Sequence, residues 1–260
     1  MINVALGGAS GKMGRTVCDI IQKSSDMKLV GAMIAPNEEL FGKEIYPGII
    51  AKGQDSLKEV LKDADVYVDI TAPGPAANII TKIPAMGVNI VLGTTAIPED
   101  VINSMRDEIA KHKTSAVHSA NFAVGVNVFW KTCEMLAATL EGYDIEVIEA
   151  HHNQKLDAPS GTAMEAVKRM KKATGKTEVL CGREGMVGAR KNEIGVHSIR
   201  GGDIVGDHTV LFIGKGERIE LKHSMASRDA LANGFIQSIR WVYGRKDGKV
   251  HGMNEVLGYD

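Results

Sequence analysis

Ile2-Asn3-Val4-Ala5-Leu6-Gly7-Gly8-Ala9-Ser10-Gly11-Lys12-Met13-Gly14 decides the fold. A short apolar run ends in glycines at Gly8, Gly11 and Gly14, and an amphipathic stretch from Lys12 to Gln22 follows. A strand that enters a glycine turn and leaves it as a helix opens a dinucleotide-binding unit. The glycines tolerate positive φ, and they let backbone N–H groups approach a pyrophosphate at the positive end of the helix. The spacing G-x-x-G-x-x-G varies the usual G-x-G-x-x-G, so its place between strand and helix carries more weight than the string. The competing reading is a glycine-rich turn that holds no ligand. A Walker A loop is excluded, because Gly11-Lys12 is followed by Met13.

Outward from this turn, short apolar runs alternate with amphipathic stretches. Strands are expected at Asn3 to Leu6, Leu29 to Ile34, Val66 to Ile70, Asn89 to Leu92 and Ser115 to Val117. Helices are expected near Lys12 to Gln22, Gln54 to Leu61, Pro75 to Met86 and Pro98 to Lys111, the last with a buried stripe of Val101, Met105 and Ile109. This rhythm predicts an α/β fold, a Rossmann-like doubly wound parallel sheet. An acid about 20 residues past the glycines commonly grips the ribose hydroxyls and repels a 2′-phosphate. Here the second strand ends Met33-Ile34-Ala35-Pro36-Asn37, with the nearest acids at Glu38 and Glu39, so the expected carboxylate is absent or displaced. Lys12 is either a partner for a 2′-phosphate or a solvated surface lysine, and NADPH stands at least level with NADH as the cofactor.

After about Asn121 the pattern changes. A helix from about Val126 to Leu140 leads to a strand at Ile145 to Ala150, a helix from about Thr162 to Ala173, and strands at Val196 to Ile199, Thr209 to Ile213 and Arg218 to Lys222. The last three lack crossover helices between them, which predicts antiparallel pairing in a second α+β domain with a mixed or antiparallel sheet. Helices on one face would leave the other free for a partner subunit. A last helix near Asp229 to Val242 has the option of returning to the first domain.

The whole chain of 260 residues balances 31 Lys and Arg against 32 Asp and Glu, for a formal charge of −1, so the basic excess of a nucleic-acid or acidic-membrane binder is missing. At 44% hydrophobic and 24% charged the composition is that of an ordinary globular protein, and at 5% aromatic it does not suit stacking on single strands. Cys18, Cys133 and Cys181 are widely spaced, which argues against a disulfide framework or a structural zinc and fits a reducing compartment. Neither a secretion signal nor a bilayer-spanning run is recognisable. The expected setting is cytoplasmic, with no nucleic-acid or membrane partner.

The chemistry concentrates in Glu149-Ala150-His151-His152-Asn153-Gln154-Lys155-Leu156-Asp157-Ala158-Pro159-Ser160-Gly161-Thr162, which leaves a strand and enters a helix. Two imidazoles and an ammonium beside a helix N-terminus attract anions and supply protons near neutral pH. Thr162 and Glu165 have the spacing of a capping box, and free N–H groups of Gly161 and Thr162, with the Ser160 hydroxyl, are placed to bind a carboxylate. The bland alternatives are a structural or metal-binding His pair and a simple helix cap. The remaining histidines, His112, His118, His197, His208, His223 and His251, form no zinc-like spacing, and no metal site is expected.

These blocks resemble the dihydrodipicolinate (4-hydroxy-tetrahydrodipicolinate) reductase family. The likeness runs through Gly8 to Gly14, Gly93-Thr94-Thr95, Ala120-Asn121-Phe122, Val124 to Asn127, Glu149 to Thr162, Arg200 to Thr209, Ser227-Arg228 and Ala232-Asn233-Gly234. The resemblance implies reduction of a cyclic imine dicarboxylate by NADPH or NADH, with loss of water, in diaminopimelate and lysine biosynthesis. It implies His151 and Lys155 as proton-transfer residues, with His152, Ser160, Gly161 and Thr162 on the substrate carboxylates. Along the dinucleotide it implies Gly8, Ala9, Ser10, Gly11, Lys12 and Met13, then Gly93, Thr94 and Thr95, then Ser119, Ala120, Asn121 and Phe122. Phe122 is either a nicotinamide contact or a core aromatic. Two departures concern the cofactor alone: some members have an acid at Ala35 and an arginine at Ala72. The resemblance further implies a cofactor domain of residues 1–122 and 232–260 around a substrate and tetramerisation domain of residues 123–231, a homotetramer joined through the mixed sheet, and hinge closure.

Three rivals are weighed. A short-chain dehydrogenase is disfavoured, since no Tyr has Lys four residues later. An amino-acid dehydrogenase acting on diaminopimelate or aspartate would share the first domain but not the His-His-x-x-Lys block. A nucleotide-sensing regulator would need the fold without the proton donors.

Overall fold

The computed structural model describes residues 1–259, and Asp260 lies outside them. In chain order the elements begin β1 (Ile2–Gly7), α1 (Lys12–Lys23), β2 (Met27–Met33), β3 (Glu44–Tyr46), β4 (Ile49–Lys52), α2 (Leu57–Val60), β5 (Val66–Asp69), α3 (Pro73–Ile79), β6 (Asn89–Leu92), α4 (Glu99–His112) and β7 (Ala116–His118). They continue α5 (Val124–Thr139), β8 (Asp144–His151), α6 (Gly161–Thr174), β9 (Glu178–Cys181), β10 (Glu193–Arg200), β11 (Gly206–Gly214), β12 (Glu217–Met225), α7 (Asp229–Val242), β13 (Val250–His251) and α8 (Met253–Leu257). They form two compact units, one of Met1–Val124 with Leu231–Asp260 and the other of Gly125–Ala230.

The first unit is built on a sheet of order β13-β7-β6-β5-β1-β2-β4-β3. Every pair is parallel except β3 with β4. Strands buried on both faces need helices on both sides. On one side α1 presents Val17, Cys18 and Ile21, and α7 presents Phe235, Ile236, Ile239 and Val242, against Val4 and Leu6 of β1. On the other, Ile79 of α3 and Ile102, Met105 and Ile109 of α4 pack with Ala5, Tyr67, Ile90 and Leu92. Each such Ile or Phe contributes roughly 2 kcal/mol of burial. Helix α7 thus returns to the first unit's core. Since β2 and β5 flank β1, successive connections leave β1 in opposite directions, and a crevice opens there at the strands' carboxyl ends.

Several expected elements are revised. The helix expected over Pro75 to Met86 stops at Ile79, and a separate 3-10 turn spans Pro84–Met86, because Pro84 has no N–H to continue the ladder. The stretch Gln54 to Leu61 divides into a 3-10 turn and the four-residue α2. The stripe of α4 is Ile102, Met105 and Ile109, with Val101 only partly buried. The hairpin β3–β4, not foreseen, turns at Pro47-Gly48, where Gly48 has φ +75°.

The second unit's sheet has the order β12-β11-β8-β10-β9. The expected antiparallel pairing holds for β11 with β12 and with β8, but β10 runs parallel to β8 and β9. The overlooked β9 follows α6, and that helix is the crossover that brings the chain back in the direction of β8. Along β8 burial alternates, placing Ile145, Val147, Glu149 and His151 on the covered face. Helices α5 and α6 lie over it: Trp130 Nε1 donates to the Thr162 carbonyl at 2.9 Å, and Phe129 meets the rings of His208 and His223. The opposite face exposes Leu180 (38%), Ile199 (50%) and Ile213 (36%), more apolar surface than a fully solvated sheet face usually carries.

Candidate active site

In the first unit the glycine turn has the backbone that its sequence requires. Gly8 has φ +83°, and a Cβ there would lie 2.3 Å from the Ile70 carbonyl oxygen. A Cβ at Gly14 would lie 2.0 Å from the Gly8 oxygen, so that glycine lets α1 close on the turn. The N–H groups of Gly8 and Ala9 both donate to the Met33 carbonyl, and that of Gly11 donates to Gly8. The N–H groups of Lys12 and Met13 head the open first turn of α1 and are the ones left to meet a phosphate. Ala9 is buried, while Ser10 is half-buried and Lys12 exposed.

A cavity of 380 Å³ opens beside the turn, lined by Gly8, Met33, Ile34, Ala35, Glu38, Thr71, Ala72 and Pro75 among others. The acid missing from the end of β2 is therefore displaced rather than absent: Glu38 lines the cavity, and its Oε1 accepts from Ala35 N–H at 3.1 Å. Positive-φ glycine, open helix N-terminus and adjoining cavity together fit a dinucleotide.

Below the turn lies a buried network whose members are scattered in sequence. Asp69 accepts from the Tyr67 hydroxyl (2.8 Å), from Thr71 N–H (3.1 Å) and hydroxyl (2.7 Å), and from the Thr94 hydroxyl (2.5 Å). Burial, and then the charge on Asp69, push the Tyr67 phenol well above its ordinary range, so it stays a donor. Thr94 is buried and its hydroxyl ties the loops after β5 and β6, whereas Thr95 is exposed. Gly93 leaves room for Phe235, whose ring a Cβ would meet at 2.4 Å.

Phe235 in turn stacks on Phe122 with centroids 4.0 Å apart. Of the two roles open to the Phe122 side chain, the core aromatic is the one its 2% exposure favours. Ser119 and Asn121 shape this loop: the Ser119 hydroxyl donates to the Asn121 carbonyl at 2.8 Å, and Asn121 Oδ1 accepts from Ala123 N–H at 2.9 Å. Ala120 is exposed beside them.

In the second unit the centre of the cluster is Glu149, wholly buried on β8. Arg200 grips it with both arms, Nη1 to Oε2 at 2.9 Å and Nη2 to Oε1 at 2.8 Å. His151 Nδ1 lies 2.5 Å from Oε2, and Ser160 N–H donates to Oε1 at 3.1 Å. Burial works to raise the Glu149 pKa, but hydrogen bonds from Arg200, Ser198 and His151 outweigh it and bring it down to about 2. The loop after β8 is pinned at Asn153 N–H to the Gly202 carbonyl (3.2 Å) and at Arg200 Nη2 to the Asp157 carbonyl (2.6 Å). On this loop His152 is half-buried, and Lys155 Nζ donates to Asp157 Oδ1 at 2.7 Å.

The cap of α6 differs from expectation. Ser160, not Thr162, is the N-cap, and its hydroxyl accepts from Ala163 N–H. The helix starts at Gly161, so Glu165 is too far into it to reach back, and it pairs with Arg169 at 2.9 Å. The N–H groups of Gly161 and Thr162 sit at the open first turn. Two residues absent from the expected site join it. His208 Nε2 is 3.2 Å from the Ser160 hydroxyl, and its ring stands edge-on to His151 at 5.2 Å, with His223 at 6.2 Å beyond. Burial first, then the neighbouring His151 and His223, lower the His208 pKa to about 4, which leaves it neutral. His151, His208 and His223, far apart in sequence, thus converge, because β8, β11 and β12 lie side by side in register. Among the described residues no group of three or more His, Cys, Asp or Glu is arranged to hold a metal.

Two family profiles match the chain, the N-terminus of dihydrodipicolinate reductase over residues 2–122 and its C-terminus over residues 125–257. The chain belongs to the dihydrodipicolinate reductase family. With membership of this family goes oxidoreductase activity. Curated dihydrodipicolinate reductases bearing the name 4-hydroxy-tetrahydrodipicolinate reductase include one from Methanobrevibacter smithii, 44% identical with both chains fully covered. Another, from Methanococcus aeolicus, is 40% identical over 99% of this chain and 98% of its own. Among solved structures, the dipicolinate-bound dihydrodipicolinate reductase of Paenisporosarcina sp. TG-14 superposes with a TM-score of 0.83 at 26% identity, covering 99% of this chain and 100% of that one. A meso-diaminopimelate dehydrogenase variant from Clostridium tetani shares only the fold, at 13% identity and a TM-score of 0.58 over 100% of this chain and 96% of its own.

Proposed function

We propose that the chain reduces 4-hydroxy-tetrahydrodipicolinate to tetrahydrodipicolinate with NADPH or NADH, in diaminopimelate and lysine biosynthesis, as a cytoplasmic homotetramer. The observation that carries this reading is the His151, Glu149, Arg200 and Ser160 cluster at the head of α6, joined by the loop between β8 and α6 that bears His152 and Lys155. A doubly negative substrate ring suits it. One carboxylate is held by the N–H groups of Gly161 and Thr162, as anions are at helix N-termini, and His152 and the Ser160 side serve the same end. Gly8 to Met13, Gly93 to Thr95 and Ser119 to Phe122 hold the nucleotide, chiefly through backbone, since the Thr94 hydroxyl and the Phe122 ring are engaged within the protein.

A reduced nicotinamide, when bound, supplies the hydride. The Lys155 ammonium, beside the ring nitrogen, stabilises the negative charge that arrives there and donates a proton, with His151 as the second proton-transfer group. One hydride and one proton enter, the ring's hydroxyl leaves as water, and the nucleotide is oxidised. Membership of the family supports this reading over a nucleotide sensor. Dipicolinate, the flat pyridine dicarboxylate bound by the Paenisporosarcina relative, is the natural binding probe.

The purified chain is expected to oxidise a reduced nicotinamide nucleotide only when supplied with the ring formed from pyruvate and aspartate semialdehyde. His151→Gln and Lys155→Met should each lower turnover by 10²-fold or more, and the double variant further. Full turnover in both single variants removes the assigned chemistry.

A further inference from the structure

The carboxylate of Glu149 is buried, ionised, and supplied with donors on both oxygens. The Arg200 fork satisfies its charge, and at Oε2, which takes one arm of that fork, His151 Nδ1 lies 2.5 Å away. An ionised carboxylate has no proton to give, so the hydrogen between these atoms sits on the imidazole nitrogen. We infer that Glu149 is the positioning residue for proton transfer at His151: it holds the imidazole with its proton on Nδ1 and presents Nε2 as the atom that exchanges a proton with substrate. This deepens the proposed function and rests on it.

Three further observations agree. Ser160 N–H donates to the same carboxylate, so the head of the substrate-binding helix and the imidazole are set by one group. His151 Nε2 faces position 206, where a Cβ would approach within 3.1 Å, so the glycine leaves that edge of the ring clear. The Ser160 hydroxyl accepts from Ala163 and lies 3.2 Å from Nε2 of His208, and burial keeps that second imidazole uncharged. His208 is thereby held as a neutral neighbour that does not compete for the proton. A ring oriented in this way meets substrate with the correct nitrogen, without first turning over or changing tautomer.

The test is Glu149→Gln, the same shape with a single acceptor oxygen. It cannot serve both the Arg200 fork and the imidazole N–H. With the ring substrate, kcat should fall about 10- to 100-fold, a larger factor than any loss of dipicolinate binding through the Ser160 anchor, while the KM for nucleotide changes less than about threefold. In ¹⁵N-imidazole spectra recorded in mildly alkaline buffer, with His151 assigned by comparison with His151→Gln, the wild type should show the Nδ1–H form and Glu149→Gln a shift toward Nε2–H. Unchanged kcat or an unchanged tautomer in Glu149→Gln overturns the inference. Should that variant not fold, the wild-type spectrum decides, for an Nε2–H ring in the native protein overturns it equally. A wild type that does not turn over the ring refutes the proposed function; a wild type that does, beside an indifferent Glu149→Gln, refutes the positioning role alone.

Discussion

At the scale of single residues, the displaced acid Glu38 has the most specific consequence. Its carboxylate lines the cavity beside the glycine turn and is held at the end of β2 by Ala35 N–H, while Lys12 is exposed and outside that lining. A fixed negative charge there opposes the 2′-phosphate of NADPH more than the hydroxyl of NADH. Glu38→Gln should raise the ratio of kcat/KM for NADPH over NADH by about tenfold, ~1.4 kcal/mol, as measured by initial rates with each nucleotide. Glu38 was visible in the sequence but its return toward the glycines was not, because it depends on a turn at Pro36-Asn37. Glu149 and His151 stand two apart on a strand, so their shared face follows from the period of two. The grip of Arg200 was out of reach, since it depends on β10 running parallel to β8.

At the scale of elements, β8, β11 and β12 form a row in which Glu149, His208 and His223 lie directly opposite one another. The hairpin turns at Lys215-Gly216, with Gly216 at φ +86°, and a tight turn there pairs His208 with His223 by counting outward. The sequence therefore contained that pairing, although it was not drawn from it. A His buried in this row must fold uncharged. Its folded pKa of about 4 lies below the ordinary 6.5, so between these values the unfolded chain binds the extra proton. Stability is fully present above pH 6.5 and is lost as pH falls toward 4, by up to about 3 kcal/mol. Glu149 extends the loss below pH 4.5, as its own depressed pKa is approached. Urea denaturation of the wild type and of His208→Gln across this range should give a steeper decline for the wild type.

At the scale of the whole molecule, the alternation of strands and helices over the first half and the change after Asn121 were legible because periodicity is local. The parallel run of β10 was not, because strand direction is set by a crossover. The second unit's open face, with Ile199, Ile213 and Leu180 exposed, is the surface expected to join four chains. Ile199→Lys should lower the mass seen by light scattering from tetramer toward smaller species, with little change in the chain's own circular dichroism. Among the described residues no helix is long and apolar enough to cross a membrane.

The interrupted first unit carries a consequence for synthesis. Its sheet ends at β13, and its core needs α7 and α8, all encoded after the last strand of the second unit. On the ribosome the opening strands and α1 emerge first, but α7, which shares with α1 the covering of Val4 and Leu6, comes only some hundred residues after β7. The intervening unit has its sheet and both covering helices within one continuous segment, free to mature while the flanking parts wait. Nascent chains stalled before α7 would thus hold a finished middle and an unfinished beginning, with apolar surface for a chaperone to shield.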